Sequence, residues 1–116
     1  MCGADVAFEP LRCRLVDLTA TVDAETALAA MRTKLDRHLG KARNLFDKAD
    51  ARCRRAKKGP AKKSLRMTKK RLAMLAKALH GKPARSLPAG VTEPIMRRAT
   101  TLGADVLTLS RTIVCR

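Results

Sequence analysis

The chain has 116 residues, enough for one domain with a modest hydrophobic core. Apolar residues make up 46% of it, which excludes a disordered basic tail, and the aromatic residues are Phe8 and Phe46, too few for recognition by base or sugar stacking. Helix-favouring residues dominate and the formal net charge is +16, so we expect an all-α protein whose field attracts polyanions.

The first predicted helix follows a lead at residues 1–9 and opens a single helical domain at residues 10–116. Pro10 suits the first turn of a helix, where its missing N–H would have no partner in any case. An apolar stripe then recurs at helical spacing, formed by Leu11, Leu15, Leu18 and Val22.

The second predicted helix is long, with Asp23 as its N-cap. Its stripe consists of Leu28, Met31, Leu35, His38, Ala42, Leu45, Ala49 and Cys53, widened by Leu39 and Phe46. Gly59 is expected to cap this helix, and Pro60 to take the first position of the next one. Together they predict a tight hairpin of two helices.

The third and fourth predicted helices are separated by a loop rich in Pro and Gly at residues 81–90. The inward positions of the third are Leu65, Leu72, Leu75 and Leu79. The fourth is expected to start at Thr92 or Glu93, with Pro94 in its first turn; its stripe is Ile95, Leu102, Val106, Leu109 and Ile113. Four such stripes with short links predict an up-down four-helix bundle.

No residue pattern points to catalysis or to a bound cofactor. The sequence has no Gly-rich phosphate loop, paired-carboxylate motif or HExxH motif. We expect His38 to be a seam residue with one satisfied nitrogen, and His80 to face the carbonyls at a helix C-terminus. The protein is therefore expected to be non-catalytic, without a cofactor or metal.

The four cysteines are expected to form disulfides, with free thiols and a zinc site as the alternatives. At 1.5 Å per residue, antiparallel helices would hold Cys13 and Cys53 roughly 30 Å apart. Cys115 ends the fourth helix, which runs in the same direction as the second, so we predict Cys53–Cys115. Cys2 lies on the lead and reaches Cys13, which predicts Cys2–Cys13.

The positive charge is concentrated in the middle of the chain. Residues 51–92 carry fourteen Lys or Arg and no acid, whereas residues 1–50 carry eight of each sign. We call residues 52–71 the basic hairpin. Its predicted polyanion-binding residues are Arg52, Arg54, Arg55, Lys57, Lys58, Lys62, Lys63, Arg66, Lys69, Lys70 and Arg71.

Helical spacing places Lys62, Arg66, Lys69 and Lys70 on one outward side, near Arg52 and Arg55 across the turn. The alternative is a solvated surface that only keeps the domain soluble. Because no aromatic residue interleaves with the bases, we expect contact with an acidic polymer by charge and no readout of base sequence. The polymer could be nucleic acid, an acidic polysaccharide or another anionic surface.

The sequence predicts no transmembrane span and no signal peptide, because no apolar run approaches about 20 residues and Asp5, Glu9 and Asp17 lie near the start. Two origins fit: a cytosolic protein, or a mature form or piece of a longer chain. A cytosolic nucleic-acid-binding bundle, or a small subunit of a nucleoprotein complex, is the alternative function. Oligomerisation through an exposed apolar stripe also stays open.

Four segments resemble a helical domain found at the C-termini of secreted, multidomain bacterial proteins, the FIMAH-like accessory domains and their deltaproteobacterial relatives. The segments are FEPLRCRLVDLTATV, KARNLFDKADARC, KKSLRMTKKRLAMLAKAL and LPAGVTEPIMRRATTLGADVLTLSRTIVC. The resemblance covers residues 8–115 and includes cysteines matching Cys13, Cys53 and Cys115, but not Cys2. It implies an extracellular or cell-surface, non-catalytic module beside other domains of a parent chain.

Overall fold

The computed structural model describes residues 2–115, and it is an all-α, up-down four-helix bundle as predicted. Its helices are α1 (Phe8–Ala24), α2 (Met31–Arg54), α3 (Lys58–His80) and α4 (Ala89–Thr112). Short 3-10 turns at Thr26–Leu28 and Lys82–Ala84 join α1 to α2 and α3 to α4. The bundle is elongated, at 47 × 26 × 18 Å.

Each helix packs against the neighbours that follow it in the chain, and the shorter α1 closes the ring against α4. Every position of the predicted stripes on α1, α3 and α4 is buried, including Leu11, Leu72 and Val106. Full burial of one such side chain stabilises the fold by roughly 1.5–3 kcal/mol. The hydrophobic pattern therefore sets which face of each helix turns inward.

The start of α2 differs from the prediction. Asp23 lies inside α1 instead of capping α2, and the chain turns between Glu25 and Ala30 before α2 begins at Met31. The carboxylate of Glu25 accepts a 3.3 Å hydrogen bond from the backbone N–H of Ala27, which starts the 3-10 turn. Leu28 is buried in the core as part of this turn, and not as part of α2.

The stripe of α2 is also rotated from its predicted centre. Leu39 and Phe46, expected only to widen it, are fully buried, whereas His38 and Leu45 are half-buried. The reason is that α2 packs against both α1 and α3, so the positions between these two neighbours face the centre.

Two helices begin earlier than expected. α1 starts at Phe8, inside the predicted lead at residues 1–9, and Pro10 lies in its first turn as predicted. α4 starts at Ala89, where the carbonyl of Pro88 accepts hydrogen bonds from the N–H groups of Val91 (3.0 Å) and Thr92 (3.1 Å). Pro94 consequently lies beyond the first turn of α4.

Both predicted disulfides are present. Cys2 and Cys13 have Cα atoms 5.3 Å apart, and Cys53 and Cys115 have theirs 4.7 Å apart. All four cysteines are thus paired, and the alternative of free thiols does not hold in this structure. Two disulfides in a small domain are typical of proteins that fold in an oxidising environment.

An aromatic and ionic cluster holds α1 against α2 at one pole of the bundle, the end that contains the basic hairpin. The rings of Phe8 and Phe46 meet edge to face, with centroids 5.4 Å apart. Arg12 lies 5.7 Å from the Phe46 centroid and forms ion pairs with Asp47 (3.1 Å) and Asp50 (2.7 Å). α1 therefore begins at the same pole at which α2 ends.

Candidate functional site

The turn of the basic hairpin is closed by backbone hydrogen bonds three residues earlier than predicted. The N–H of Lys57 donates to the carbonyl of Arg52 (2.8 Å) and the N–H of Ala56 to that of Cys53 (3.0 Å), which is the pattern of a Schellman cap. Ala56 takes the left-handed conformation at its centre, with φ of 61°.

The prediction that Gly59 caps α2 is consequently wrong. α2 ends at Arg54, and both Gly59 and Pro60 lie in the first turn of α3, which begins at Lys58. Pro60 is tolerated there because the first turn has no intrahelical acceptor for its missing N–H.

A shallow depression of about 550 Å³ lies over this turn. Five bases and two residues from the first turn of α3 line it: Arg52, Arg55, Lys57, Lys63, Arg66, Gly59 and Pro60. No acidic side chain lines it, so every charged group of its lining is positive. We call it the hairpin depression.

Two of the eleven predicted binding residues are tied into the fold. Nη1 of Arg52 donates a 2.6 Å hydrogen bond to the hydroxyl of Ser64, which is buried. Nη2 of Arg54 lies 3.1 Å from the carboxylate of Asp50, in an ion pair one helical turn back. Arg52 is held by its hydrogen bond and Arg54 is partly neutralised by its ion pair, so both are less available to an anionic ligand.

The other nine predicted residues form no ion pair or side-chain hydrogen bond with any of residues 2–115. They are Arg55, Lys57, Lys58, Lys62, Lys63, Arg66, Lys69, Lys70 and Arg71. Most of them are exposed, and Lys62, Lys69 and Arg71 are half-buried. Their charges therefore face solvent and are open to an external anion.

The structure does not gather all nine on one side. Lys69 lines the groove between α3 and α4, where its stem packs over Gly103, whereas Lys70 lines the groove between α3 and α2. Neighbouring residues on a helix point about 100° apart, which explains the divergence. Lys63 and Arg66 are the α3 residues that join the bases of the turn.

The charges at the start of α3 oppose the helix dipole. Lys57 stands at the N-cap position and Lys58 follows it, while the first turn contains no acid and no side chain caps it. Positive charge near a helix N-terminus is unfavourable, and a nearby anion relieves it. Lys57 and Lys58 thus make α3 less stable than acidic residues at the same positions would.

The histidines differ in environment. His38 is half-buried, and its Nδ1 has no hydrogen-bond partner in residues 2–115. Burial, aided by the charge of Arg71 and other nearby bases, lowers the pKa of His38, so its ring is neutral near pH 7. His80 is the exposed last residue of α3.

One cluster of potential metal ligands occurs within the described part of the chain, at Cys2, Cys13 and Asp17. Sγ of Cys2 lies 3.2 Å from a carboxylate oxygen of Asp17. The two sulfurs are bonded to each other as a disulfide. Cysteine binds a metal as a thiolate, and neither sulfur is in that form. The contact between Cys2 and Asp17 is therefore one between a disulfide sulfur and a carboxylate.

A second depression, of about 440 Å³, lies between α2 and α3 and was not predicted from the sequence. α2 contributes Lys41, Asn44, Leu45 and Lys48, and α3 contributes Met67, Lys70, Arg71 and Met74. We call it the methionine groove. The sequence feature that indicates this groove is the pair Met67 and Met74, which lie seven residues apart and outside the buried stripe of α3.

Comparison with known proteins gave no match to a protein-family model, to a curated protein or to a solved structure. Within residues 2–115, no helix has both the length and the apolar composition needed to cross a lipid bilayer.

Proposed function

We propose that this chain is a non-catalytic binding module that holds acidic polymers through the hairpin depression. The observation that carries the proposal is the convergence of Arg55, Lys57, Lys63 and Arg66 on one concave surface without an acid. Their charges have no partner within residues 2–115, so an external anion does not have to displace one.

Two physical features support a binding role over a purely solvated surface. Fourteen bases without an acid over residues 51–92 repel one another, and Glu residues would dilute that repulsion at little cost. The bases at the start of α3 also oppose its dipole. Both costs fall when a polyanion lies across the hairpin.

The chemistry of the depression favours charge recognition without sequence readout. Lys and Arg side chains bind phosphate, sulfate or carboxylate groups alike. Phe46 is fully buried and Phe8 packs against it, so neither offers a free face for base or sugar stacking. The proposed ligands are accordingly nucleic-acid backbones or acidic polysaccharides.

We further propose that the protein works outside the cell or at its surface, as an accessory module of a longer secreted chain. The two disulfides support an oxidising compartment. The resemblance to FIMAH-like C-terminal domains supports the same location. Four free thiols in native material, measured by mass spectrometry after alkylation, would favour the cytosolic nucleic-acid-binding alternative.

The binding proposal is tested by titrating the protein with a short DNA duplex and with heparin at several salt concentrations. Contact with about six phosphates predicts a log–log slope of the DNA affinity against salt near −5. The triple variant K57Q/K63Q/R66Q should weaken binding and reduce the steepness of that slope by about 2 to 3.

A matched control removes three exposed bases at the opposite pole, in the variant K34Q/R37Q/R85Q. It lowers the net charge equally but leaves the hairpin depression intact, so it should weaken binding much less. Equal losses in the two variants would mean that net charge alone attracts the polymer, and the assignment to the hairpin would be wrong.

A further inference from the structure

We propose that the methionine groove is the docking site for an acidic amphipathic helix of a partner protein. This site lies on the α2–α3 face and shares no lining residue with the hairpin depression. The proposal therefore stands independently of polyanion binding.

The floor of the groove is apolar and open to solvent. Met67 is 44% exposed and Met74 is 39% exposed, two of the few large apolar side chains with such exposure among the described residues. The half-buried Leu45 of α2 faces them across the groove. Methionine is flexible and polarizable, and it serves surfaces that adapt to a helical ligand.

The length of the floor fits two turns of a helix. Met67 and Met74 are seven residues apart on α3, which is about 10 Å along the axis. A ligand helix that places apolar residues at i, i+3, i+4 and i+7 spans the same distance. The groove thus matches the repeat of an amphipathic helix lying along the α2–α3 seam.

The rim sets the charge of the occupant. Lys41 and Lys48 stand along the α2 side, also seven residues apart, and Lys70 and Arg71 stand along the α3 side. None of the four forms an ion pair within residues 2–115, and no acid lines the groove. The complementary ligand has an apolar stripe flanked by Asp or Glu on both sides.

Charge also argues against a second copy of this chain as the occupant. The protein carries +16 overall, and α3 contains no acid at all, so two copies repel each other at this face. An acidic partner lowers that repulsion, whereas a second copy adds to it.

The probe for the test is a fluorescent synthetic peptide of about 18 residues, long enough to form a helix when bound. It carries Leu at i, i+3, i+4 and i+7 and Glu at the flanking positions. Fluorescence anisotropy measures its affinity for the full chain. A peptide of the same composition with the leucines scattered should bind about tenfold more weakly or worse, because its charge is equal and its stripe is lost.

Two variants test the two parts of the groove. M67Q/M74Q should lower the affinity for the striped peptide by about tenfold, or about 1.4 kcal/mol, with the fold intact because both side chains are exposed. K41Q/K48Q should lower it several-fold. Its matched control, K57Q/K63Q, removes two charges from the hairpin depression and should leave the affinity nearly unchanged.

Three results would overturn the proposal: unchanged peptide affinity in M67Q/M74Q, equal losses in K41Q/K48Q and K57Q/K63Q, or equal affinity for the striped and scattered peptides. Vesicles containing phosphatidylglycerol provide a further arm. If vesicle binding requires Met67 and Met74 while peptide binding does not occur, the groove is a lipid-surface site. None of these outcomes affects salt-dependent DNA binding by the hairpin depression.

Discussion

Arg52 and Ser64 are joined across the basic hairpin by a 2.6 Å hydrogen bond, in which the guanidinium donates to the hydroxyl. Ser64 is buried, with 1% of its surface exposed. A second contact runs from the same Nη1 to the carbonyl of Pro60, at 3.4 Å. Arg52 therefore locks the last turn of α2 onto the first turns of α3. Its neighbours Arg55 and Lys63 have no such role, although the sequence gives all three the same appearance.

This difference predicts that substitutions within one basic cluster change the free energy of unfolding to different extents. R52Q should lower the free energy of unfolding by about 1–2 kcal/mol, because the buried hydroxyl of Ser64 loses its charged donor. K63Q should leave stability unchanged or raise it slightly, because it relieves repulsion. Urea unfolding followed by circular dichroism measures both. A double-mutant cycle with S64A that shows no coupling would contradict the assigned hydrogen bond.

The left-handed Ala56 predicts a stabilising substitution. A56G should raise the free energy of unfolding by about 1 kcal/mol, because glycine adopts a positive φ without steric cost. Three residues on, G59A should also stabilise, by up to about 1 kcal/mol, because Gly59 is helical and a Cβ there meets no atom within 4 Å. Thermal unfolding of the two variants checks the position of the cap; destabilisation by A56G would contradict it.

The two disulfides should contribute unequally to stability. Cys53–Cys115 joins residues 62 apart in sequence and Cys2–Cys13 joins residues 11 apart. Loop entropy assigns about 4 kcal/mol to the first and about 3 kcal/mol to the second. The variant C53S/C115S should therefore unfold at lower urea concentration than C2S/C13S. The reverse order would mean that loop entropy does not control the stabilisation.

Asp36 predicts a dependence of stability on pH. Its Oδ1 is buried without a donor within residues 2–115, and burial together with the neighbouring carboxyl of Asp23 raises the pKa of Asp36 to about 6. The native state thus keeps a proton that the unfolded chain releases near pH 4. Stability from this group is present below about pH 4 and is lost as the pH rises through about 6.

The variant D36N should remove this dependence and stabilise the protein near pH 7 by about 1 kcal/mol, a value that allows for solvent screening of the partly exposed residue. His38 acts in the opposite direction: because its pKa is lowered in the native state, stability falls as the pH drops below about 6.5. Unfolding curves of D36N and of H38Q over the same pH range separate the two effects. A D36N profile identical to that of the unaltered protein would contradict the raised pKa of Asp36.

The inward face of three helices was predictable because helical periodicity is a local property. Leu65, Leu72 and Leu79 must share a face of α3 whatever the rest of the chain does. The pairing of Cys53 with Cys115 followed from helix direction and length. The cap at Ala56 was not predictable, since its backbone conformation is imposed by the way α2 and α3 meet, against the local preference for glycine.

The candidate site was predictable in composition but only partly in geometry. Charge counting identifies the basic hairpin, yet only packing shows that Lys69 turns toward α4 and Lys70 toward α2. The methionine groove depends on two helices at once. Met67 and Met74 are visible in the sequence, but the bases that face them from α2 lie about 25 residues earlier in the chain.

The positions of the two disulfides determine how the molecule carries mechanical load. When the chain is pulled from its ends, tension enters at Cys2, crosses to Cys13, runs along the chain to Cys53 and leaves through Cys115. Residues 54–114, which include α3 and α4, are bypassed. Stretching is limited to the segment between Cys13 and Cys53, or roughly 140 Å at full extension. Under force the protein is therefore a short tether, in which most of the basic hairpin and one wall of the methionine groove lie outside the stressed path.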